Sequence, residues 1–381
     1  MVDVHGFCQD DFAPVREAFA ANFDERDDVG ASAVVTIDGE AVVDMWAGDA
    51  SPDGTRWESD TIVNVYSTTK TMAATCVLML ADAGEVDLDA PVAHYWPEFA
   101  ANSKGGVLLR HVMSHTAGLS GFGEPMTPSD LYDWEKACGV LAAQECWWEP
   151  GTAAGYHAVT QGYLQGEVVR RVTGQSIGEF FRTQVAEPLG ADFHIGLPAE
   201  HEGRVAELIP PGAALFGDAD SDPANIALRT GLSTPLDGTE PSTREWRAAE
   251  IPAAGGTGNA RSVSRVHAAL ACGGSLDGVS LMSASTVESI LAEQWYGTDL
   301  VLGMPTRYGM GFGLPSDDMP ISPNQTRAFF WGGWGGSIAL VDLDARMTVT
   351  YVMNKMAPDL LGDVRGAMVV LSAYAALDAR D

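Results

Sequence analysis

A serine and a lysine three residues apart are the first residues of this sequence whose types and spacing could do chemistry. Ser67 and Lys70 belong to the run Val65-Tyr-Ser-Thr-Thr-Lys70, and on a helix they would lie on one face, one turn apart. A helix N-terminus favours negative charge that develops on the serine oxygen. A lysine that is partly removed from water has a lowered pKa and can act as a base. The pair therefore predicts a nucleophilic hydroxyl beside its own base.

The Ser-x-x-Lys pattern is weak by itself, because both residues are common and a serine that opens a helix is usually an N-cap. Its surroundings strengthen it. Thr61–Val65 has the pattern of a strand, and the stretch from Met72 to Ala81 is apolar on every side, which predicts a buried helix. The serine would then lie at a strand-to-helix transition, at the mouth of a buried helix.

The elements that must position this pair come from both ends of the chain. An amphipathic helix is expected at Phe12–Phe23, and the strands Ala31–Ile37 and Ala41–Trp46 flank Asp38-Gly39, a strong hairpin signal. Strand patterns return late, and a terminal helix follows them: Tyr308–Leu314, Ala328–Trp331, Ser337–Asp342, Met347–Met353 and the helix Leu360–Leu377. Strands with such short connections are expected to be antiparallel neighbours.

The middle of the chain is mainly helical or loop-like. Its helix candidates are Val107–Ser114, Tyr132–Ala143, Gln161–Thr173 and Ile177–Val185. We therefore predict an α/β (α+β) fold in which residues 1–82 and 250–381 form an antiparallel sheet with terminal helices, and residues 83–249 form a helical insertion domain.

Composition limits the class of protein and its partners. With 381 residues, 46% of them hydrophobic and 19% charged, the chain can bury a sizeable core. Its formal net charge of −30 argues against nucleic acid and anionic membranes as partners. Five scattered cysteines without C-x-x-C spacing are typical of reduced thiols. No signal peptide or membrane-spanning stretch is recognisable, so we expect a cytoplasmic protein.

Four motifs in register resemble those of the serine β-lactamase and penicillin-binding-protein superfamily. They are Ser67–Lys70, Leu109–Leu119, Pro150-Gly151 leading to Tyr156–Ala158, and Trp331–Ser337. The sequence most resembles the family VIII carboxylesterases, which share the fold of class C β-lactamases. The resemblance implies a β-lactamase/transpeptidase-like fold, an acyl-enzyme mechanism, a small-molecule ester substrate, and no metal or cofactor.

The resemblance also implies a role for each matching residue. Ser67 would be the nucleophile, and Lys70 with Tyr156 would be the general-base pair. Which of the two takes the serine proton stays open, because the pair would titrate as a coupled unit. The backbone N–H groups of Ser67 and Trp334 would form the oxyanion hole. The substrate would contact Trp331, Gly332, Gly333 and Trp334.

Two departures from the β-lactamase pattern decide the expected substrate. Trp331 stands where lactam-cleaving relatives carry a basic residue or histidine, which would pair with the substrate carboxylate. Ala158 stands where the second motif usually ends in a polar residue. Both changes favour neutral esters. The alternatives are an amide-bond hydrolase (a weak β-lactamase or a D,D-peptidase-like enzyme), an acyltransferase with the same residues, or a binding protein that has lost activity.

Two further features have structural explanations, and a third has no assigned role. Gly174–Gly178 matches the G-x-S-x-G elbow of α/β-hydrolases, but it follows a helix, so Ser176 is better explained as a helix cap. His111 and His115 have zinc-ligand spacing without a third ligand, and we interpret both as structural. His157 adjoins Tyr156, and the sequence assigns it no role.

Overall fold

The computed structural model describes residues 2–212 and 225–380. Its strands, in chain order, are β1 (Val4–Cys8), β2 (Gly30–Ile37), β3 (Glu40–Gly48), β4 (Val63–Asn64), β5 (Thr257–Gly258), β6 (Ser275–Leu276), β7 (Val279–Ser280), β8 (Trp295–Thr298), β9 (Pro305–Tyr308), β10 (Ala328–Gly332), β11 (Ile338–Asp342) and β12 (Met347–Met353). Its α-helices are α1 (Ala13–Glu25), α2 (Thr69–Asp82), α3 (Val92–Tyr95), α4 (Leu109–Met113), α5 (Trp134–Ala143), α6 (Thr160–Thr173), α7 (Ile177–Phe181), α8 (Glu187–Leu189), α9 (Ile226–Ser233), α10 (Arg244–Ala248), α11 (Ala260–Ala271), α12 (Ala284–Ser289) and α13 (Val364–Asp378).

A six-stranded antiparallel sheet joins the two ends of the chain. Its strand order is β1-β3-β2-β12-β11-β10. The pairing of β2 with β12, in which Ala33 lies opposite Tyr351, connects the early strands to the late ones. The β2–β3 turn is the predicted one, and both Asp38 and Gly39 have positive φ, as a tight hairpin turn requires. The predicted fold class, an antiparallel sheet flanked by helices, is confirmed.

Helices cover both faces of this sheet. All seven residues of β12 are buried, and since successive side chains of a strand point to opposite faces, both faces need cover. Thr348 bonds to Ser264 of α11, whereas the Tyr351 ring packs against Phe19 of α1. These two strand residues differ by an odd number of positions, so α11 and α1 lie on opposite faces.

The helix that carries Lys70 is buried as its sequence predicts. A 3₁₀ turn at Tyr66–Thr68 precedes α2, and all but three residues of α2 are buried. The expected strand at Thr61–Val65 is shorter than predicted, because only β4 pairs, with β5. Ser67 therefore lies in the turn between a very short strand and the buried helix.

Two late boundaries were predicted wrongly. Tyr308–Leu314 is not one strand: β9 ends at Tyr308, and the chain turns at Gly311, whose φ is +85°. The strand that pairs with β9 is β8, which the sequence did not indicate. The terminal helix begins at Val364 instead of Leu360, because the Asp363 side chain caps it by accepting the N–H groups of the first turn.

The middle of the chain contributes helices. All four helix candidates are present as α4 to α7, with ends shifted by a few residues. Among the described residues of 83–249, none belongs to the six-stranded sheet. The domain boundaries at residues 82 and 250 stay a prediction.

None of the helices in residues 2–212 and 225–380 has the length and apolar character needed to cross a membrane. The expected cytoplasmic location stays a prediction.

Candidate active site

Three side chains converge on one oxygen atom. The Tyr156 phenol donates a hydrogen bond of 2.6 Å to Ser67 Oγ, and Lys70 Nζ lies 3.0 Å from the same oxygen. The exposed fractions of Ser67, Lys70 and Tyr156 are only 6%, 1% and 1%. The helical spacing predicted the contact between Lys70 and Ser67. The contact between Tyr156 and Ser67 joins residues 89 positions apart, and only the family resemblance indicated it.

Lys70 is held by two backbone carbonyls as well as by the serine. Its Nζ donates to Ala158 O at 2.7 Å and to Ala253 O at 2.9 Å. Burial lowers the pKa of Lys70 well below its ordinary value of 10.5. A neutral amine has two N–H bonds and one lone pair. In that form the two N–H bonds would face the two carbonyls, which can only accept, and the lone pair would face Ser67 Oγ.

The turn that presents Ser67 is held by a buried asparagine. Tyr66 has a φ of +42°, which is unusual for a residue with a side chain. Its N–H donates to the Asn64 side chain at 3.2 Å, and that side chain in turn donates to Ala254 O and Gly256 O. The surroundings therefore stabilise a conformation that the backbone alone would disfavour. Asn64 was not singled out from the sequence.

Tyr156 lies on a segment without regular secondary structure that is anchored by hydrogen bonds of its backbone. The N–H of Tyr156 donates to Asp299 Oδ1 at 3.0 Å, and the N–H of His157 donates to His115 Nδ1 at 3.1 Å. The phenol ring packs against His115 and Trp331, with centroids 5.1 and 5.9 Å away. Burial is the main cause that raises the pKa of Tyr156, so its hydroxyl keeps its proton and can donate it.

The Trp331–Ser337 motif lies against the Ser67 turn. Ser337 Oγ donates to Val65 O at 3.0 Å, and a Cβ on Gly333 would lie only 2.2 Å from that same carbonyl. The rings of Tyr66 and Trp334 are 5.1 Å apart. Gly333 is therefore required for the approach of two protein backbones, and the approach brings Trp334 next to the Ser67 turn.

Trp331 and Gly332 are more enclosed than a cleft lining requires. A Cβ on Gly332 would lie 2.1 Å from the carbonyl carbon of Leu361, so this glycine also meets protein backbone. The Trp331 ring is 2% exposed and stacks on His115 at 5.3 Å. Substrate contact by Trp331, Gly332, Gly333 and Trp334 stays a prediction. His115, interpreted from sequence as structural, packs edge-on against the Tyr156 ring.

Ser176 and His157 form no side-chain hydrogen bond with Ser67, Lys70 or Tyr156. Ser176 caps α7 by accepting the N–H of Glu179, and its hydroxyl donates to Glu250 at 2.6 Å. The cap interpretation is confirmed. The carboxylate that contacts this helix start belongs to Glu250, which accepts the Ser176 hydroxyl and the N–H of Gly178. His157 is fully buried, its Nε2 accepts the N–H of Leu119, and burial lowers its pKa to about 3. Within residues 2–212 and 225–380, no cluster of three or more His, Cys, Asp or Glu residues could hold a metal ion.

Sequence reasoning missed two groups that touch the convergence. Ala253 lies in the glycine-rich loop Pro252–Asn259, whose composition marks a loop but not its contact with Lys70. Asp299 is a lone acidic residue between β8 and β9, and nothing in its local pattern distinguishes it. Both contacts join residues more than 140 positions apart.

Comparison with known proteins agrees with this geometry. The family profile described as Beta-lactamase matches residues 19–371, so the chain belongs to the beta-lactamase family. It is 36% identical over 383 residues to the esterase/beta-lactamase LipL of Mycobacterium tuberculosis, with 94% of this chain and 84% of that one covered. Both the resemblance and the fold class predicted from the sequence are confirmed.

Two solved structures are similar over nearly the whole chain. The first, a family VIII carboxylesterase, is 43% identical with a TM-score of 0.92, and 98% of this chain and 100% of that one are covered. The second, a penicillin-binding-protein homologue from Caulobacter crescentus, is 40% identical with a TM-score of 0.91 and the same coverage. Esterases among these relatives favour the predicted serine carboxylesterase over a β-lactamase or a peptidase.

Proposed function

We propose that this serine carboxylesterase cleaves neutral esters through an acyl-enzyme formed on Ser67. The observation that carries the proposal is the convergence of the Tyr156 hydroxyl and Lys70 Nζ on Ser67 Oγ, at 2.6 and 3.0 Å. With this geometry the Ser67 hydroxyl can lose its proton to the neutral Lys70 amine, and the Tyr156 hydroxyl can stabilise the resulting alkoxide by donating a hydrogen bond to it.

In acylation, Ser67 Oγ attacks the ester carbonyl carbon while its proton moves to Lys70 Nζ. Lys70 is the available acceptor of the two neighbours. Burial lowers its pKa, which favours the unprotonated amine, whereas burial raises the pKa of Tyr156, which keeps that hydroxyl protonated. As the carbon–oxygen bond to the alcohol breaks, Tyr156 gives its hydroxyl proton to the leaving oxygen and takes up the proton that Lys70 holds. Water then attacks the acyl carbon, and the same groups act in reverse.

The negative charge on the carbonyl oxygen needs donors in the transition state. The backbone N–H groups of Ser67 and Trp334 are our candidates for this oxyanion hole. The packing of the Gly333 backbone against Val65 supports this pairing, because it brings the Trp334 turn beside the Ser67 turn.

A neutral substrate fits the charges around Ser67. The Lys70 amine, which contacts Ser67, already donates to two backbone carbonyls. It is therefore not available to a substrate carboxylate. Trp331 supplies no charge where a lactam-cleaving enzyme would carry a cation. The substrate class we propose is therefore a small neutral carboxylic ester.

The test is hydrolysis of p-nitrophenyl butyrate by the wild type and by Ser67→Ala. Loss of the nucleophile is expected to lower kcat by about 10⁴-fold or more. A serine-reactive phosphonate should label the wild type at Ser67, as located by mass spectrometry, and should not label the variant. Ser176→Ala is the matched control and should keep both activity and labelling. Full activity in Ser67→Ala would refute the proposal.

A further inference from the structure

A buried carboxylate lies behind the Tyr156 segment, and the mechanism above does not use it. Asp299 is 0% exposed, and its Oδ1 accepts three backbone N–H groups: Val301 at 2.8 Å, Leu302 at 2.9 Å and Tyr156 at 3.0 Å. Its Oδ2 accepts the hydroxyl of Tyr308 at 2.9 Å. These four hydrogen bonds give both oxygens of the buried carboxylate a donor.

Two of these four bonds serve the loop that Asp299 itself begins, and two reach other parts of the protein. The loop between β8 and β9 is further tied to the Tyr156 segment by the N–H of Leu300, which donates to Ala154 O at 2.8 Å. Tyr308 packs against His115 at 5.0 Å, and His115 packs against the Tyr156 ring. Asp299 therefore acts on Tyr156 in two ways. It binds the backbone N–H of Tyr156 directly, and it binds Tyr308, which packs against the neighbour of the Tyr156 ring.

We propose that Asp299 is a positioning residue that holds Tyr156 where its phenol reaches Ser67 Oγ. The inference rests on the proposed function, since it assigns Asp299 an effect only through Tyr156. The hydrogen bond from the Tyr156 N–H to Asp299 fixes the position of the Tyr156 backbone. The packing of Tyr308 and His115 fixes the orientation of the phenol ring. Proton relay requires that the 2.6 Å contact be kept, and a displacement of about 1 Å can cost about 10²-fold in rate.

The chain contains a matched carboxylate far from Ser67. Asp342 is 2% exposed, its Oδ1 accepts the N–H groups of Asp344 and Ala345 at 3.0 Å, and its Oδ2 accepts the Tyr374 hydroxyl at 2.7 Å. Asp342 is the last residue of β11. It lies roughly 13 Å along the strand from Ile338, the first residue of β11, which directly follows Ser337. Asp342→Ala thus repeats the loss of a buried turn-holding carboxylate without any contact to Tyr156.

The experiment is a double-mutant cycle on kcat/KM with p-nitrophenyl butyrate. Asp299→Ala alone should lose about 10²-fold, mainly in kcat. In the Tyr156→Phe background the same change should cost less than about threefold, because the relay is already absent. Asp342→Ala should lower the melting temperature comparably and leave kcat within about threefold. Equal losses from Asp299→Ala in both backgrounds would overturn the inference.

Two further readings separate the possible failures. Wild-type activity in Tyr156→Phe would refute the relay in the proposed function, whereas additive losses with an impaired Tyr156→Phe refute only the role of Asp299. Asp299→Asn keeps an oxygen acceptor of the same reach, so we expect it to stay within about tenfold of wild type. If Asp299→Ala does not fold, Asp299→Asn carries the test, and a larger loss in that folded variant overturns the inference.

Discussion

Replacement of Lys70 by methionine tests the assignment of the base. Methionine is unbranched and of similar length, so it fills a fully buried site without the extra volume of arginine. It cannot accept a proton. The Tyr156 hydroxyl would still bond to Ser67 Oγ, so the variant isolates the contribution of the amine at 3.0 Å.

The expected loss follows from the contacts of Nζ. Loss of a positioned general base costs typically 10²- to 10⁴-fold, which corresponds to about 3–5 kcal/mol of transition-state stabilisation. Since only Tyr156 remains to take the serine proton, and burial raises its pKa, we place the loss for Lys70→Met near the upper end, about 10⁴-fold. The expected effect is on kcat, because Lys70 is enclosed by Ala158 and Ala253 and offers a substrate little surface.

Lys104 supplies the matched control. It is also fully buried, and its Nζ donates to three backbone carbonyls: Ala101 at 2.9 Å, Ala142 at 2.9 Å and Gln144. Where Lys104 has a third carbonyl, Lys70 has the Ser67 hydroxyl. Each carbonyl left without its donor costs about 1–3 kcal/mol, so Lys104→Met should be destabilised at least as much as Lys70→Met.

The assay is steady-state turnover of p-nitrophenyl butyrate, with thermal unfolding followed on the same samples. Lys70→Met should be folded and nearly inactive, and Lys104→Met should be less stable and keep its kcat within about threefold. Retention of more than about a tenth of wild-type kcat by Lys70→Met would show that the amine is not the base. Comparable inactivation of both variants would show that buried lysines act here only through stability.

Three other outcomes are expected. Burial lowers the pKa of Lys70 below 10.5, and the amine must be neutral to accept a proton, so kcat/KM should rise as pH rises through that lowered pKa. His157, with a pKa of about 3, and His115, whose pKa burial also lowers, should add no step near neutrality; an inflection lost in His157→Gln would contradict this. Ser176→Ala should lose about 1 kcal/mol of unfolding free energy with its cap and keep its kcat, whereas a large loss of kcat would reopen the G-x-S-x-G interpretation.

Errors in the predicted elements have local physical causes. The alternation of glycine with larger residues in Tyr308–Leu314 imitates the period of a strand, but Gly311 adopts a positive φ that turns the chain. Leu360 and Leu361 continue the apolar pattern of the terminal helix, yet the Asp363 side chain caps the helix only after them. In the first case the backbone conformation of one residue outweighed the hydrophobic pattern, and in the second case a side-chain hydrogen bond did so.

The sequence by itself determined what depends on neighbours in the chain. Helical periodicity brought Ser67 and Lys70 together, turn chemistry made the hairpin at Asp38-Gly39, and an apolar run of residues made α2 a buried helix. Such features are set by spacings of one to four residues, so a pattern can reveal them.

Only the tertiary structure decided what completes the site. The carbonyl of Ala253 reaches Lys70 across 183 positions, and the carboxylate of Asp299 reaches Tyr156 across 143. Residue type does not distinguish these two, because any residue has a carbonyl and an aspartate between two strands is common. They act on the site because the packing of the sheet, α2 and the loops brings them within hydrogen-bond distance, and no local spacing in the chain records that distance.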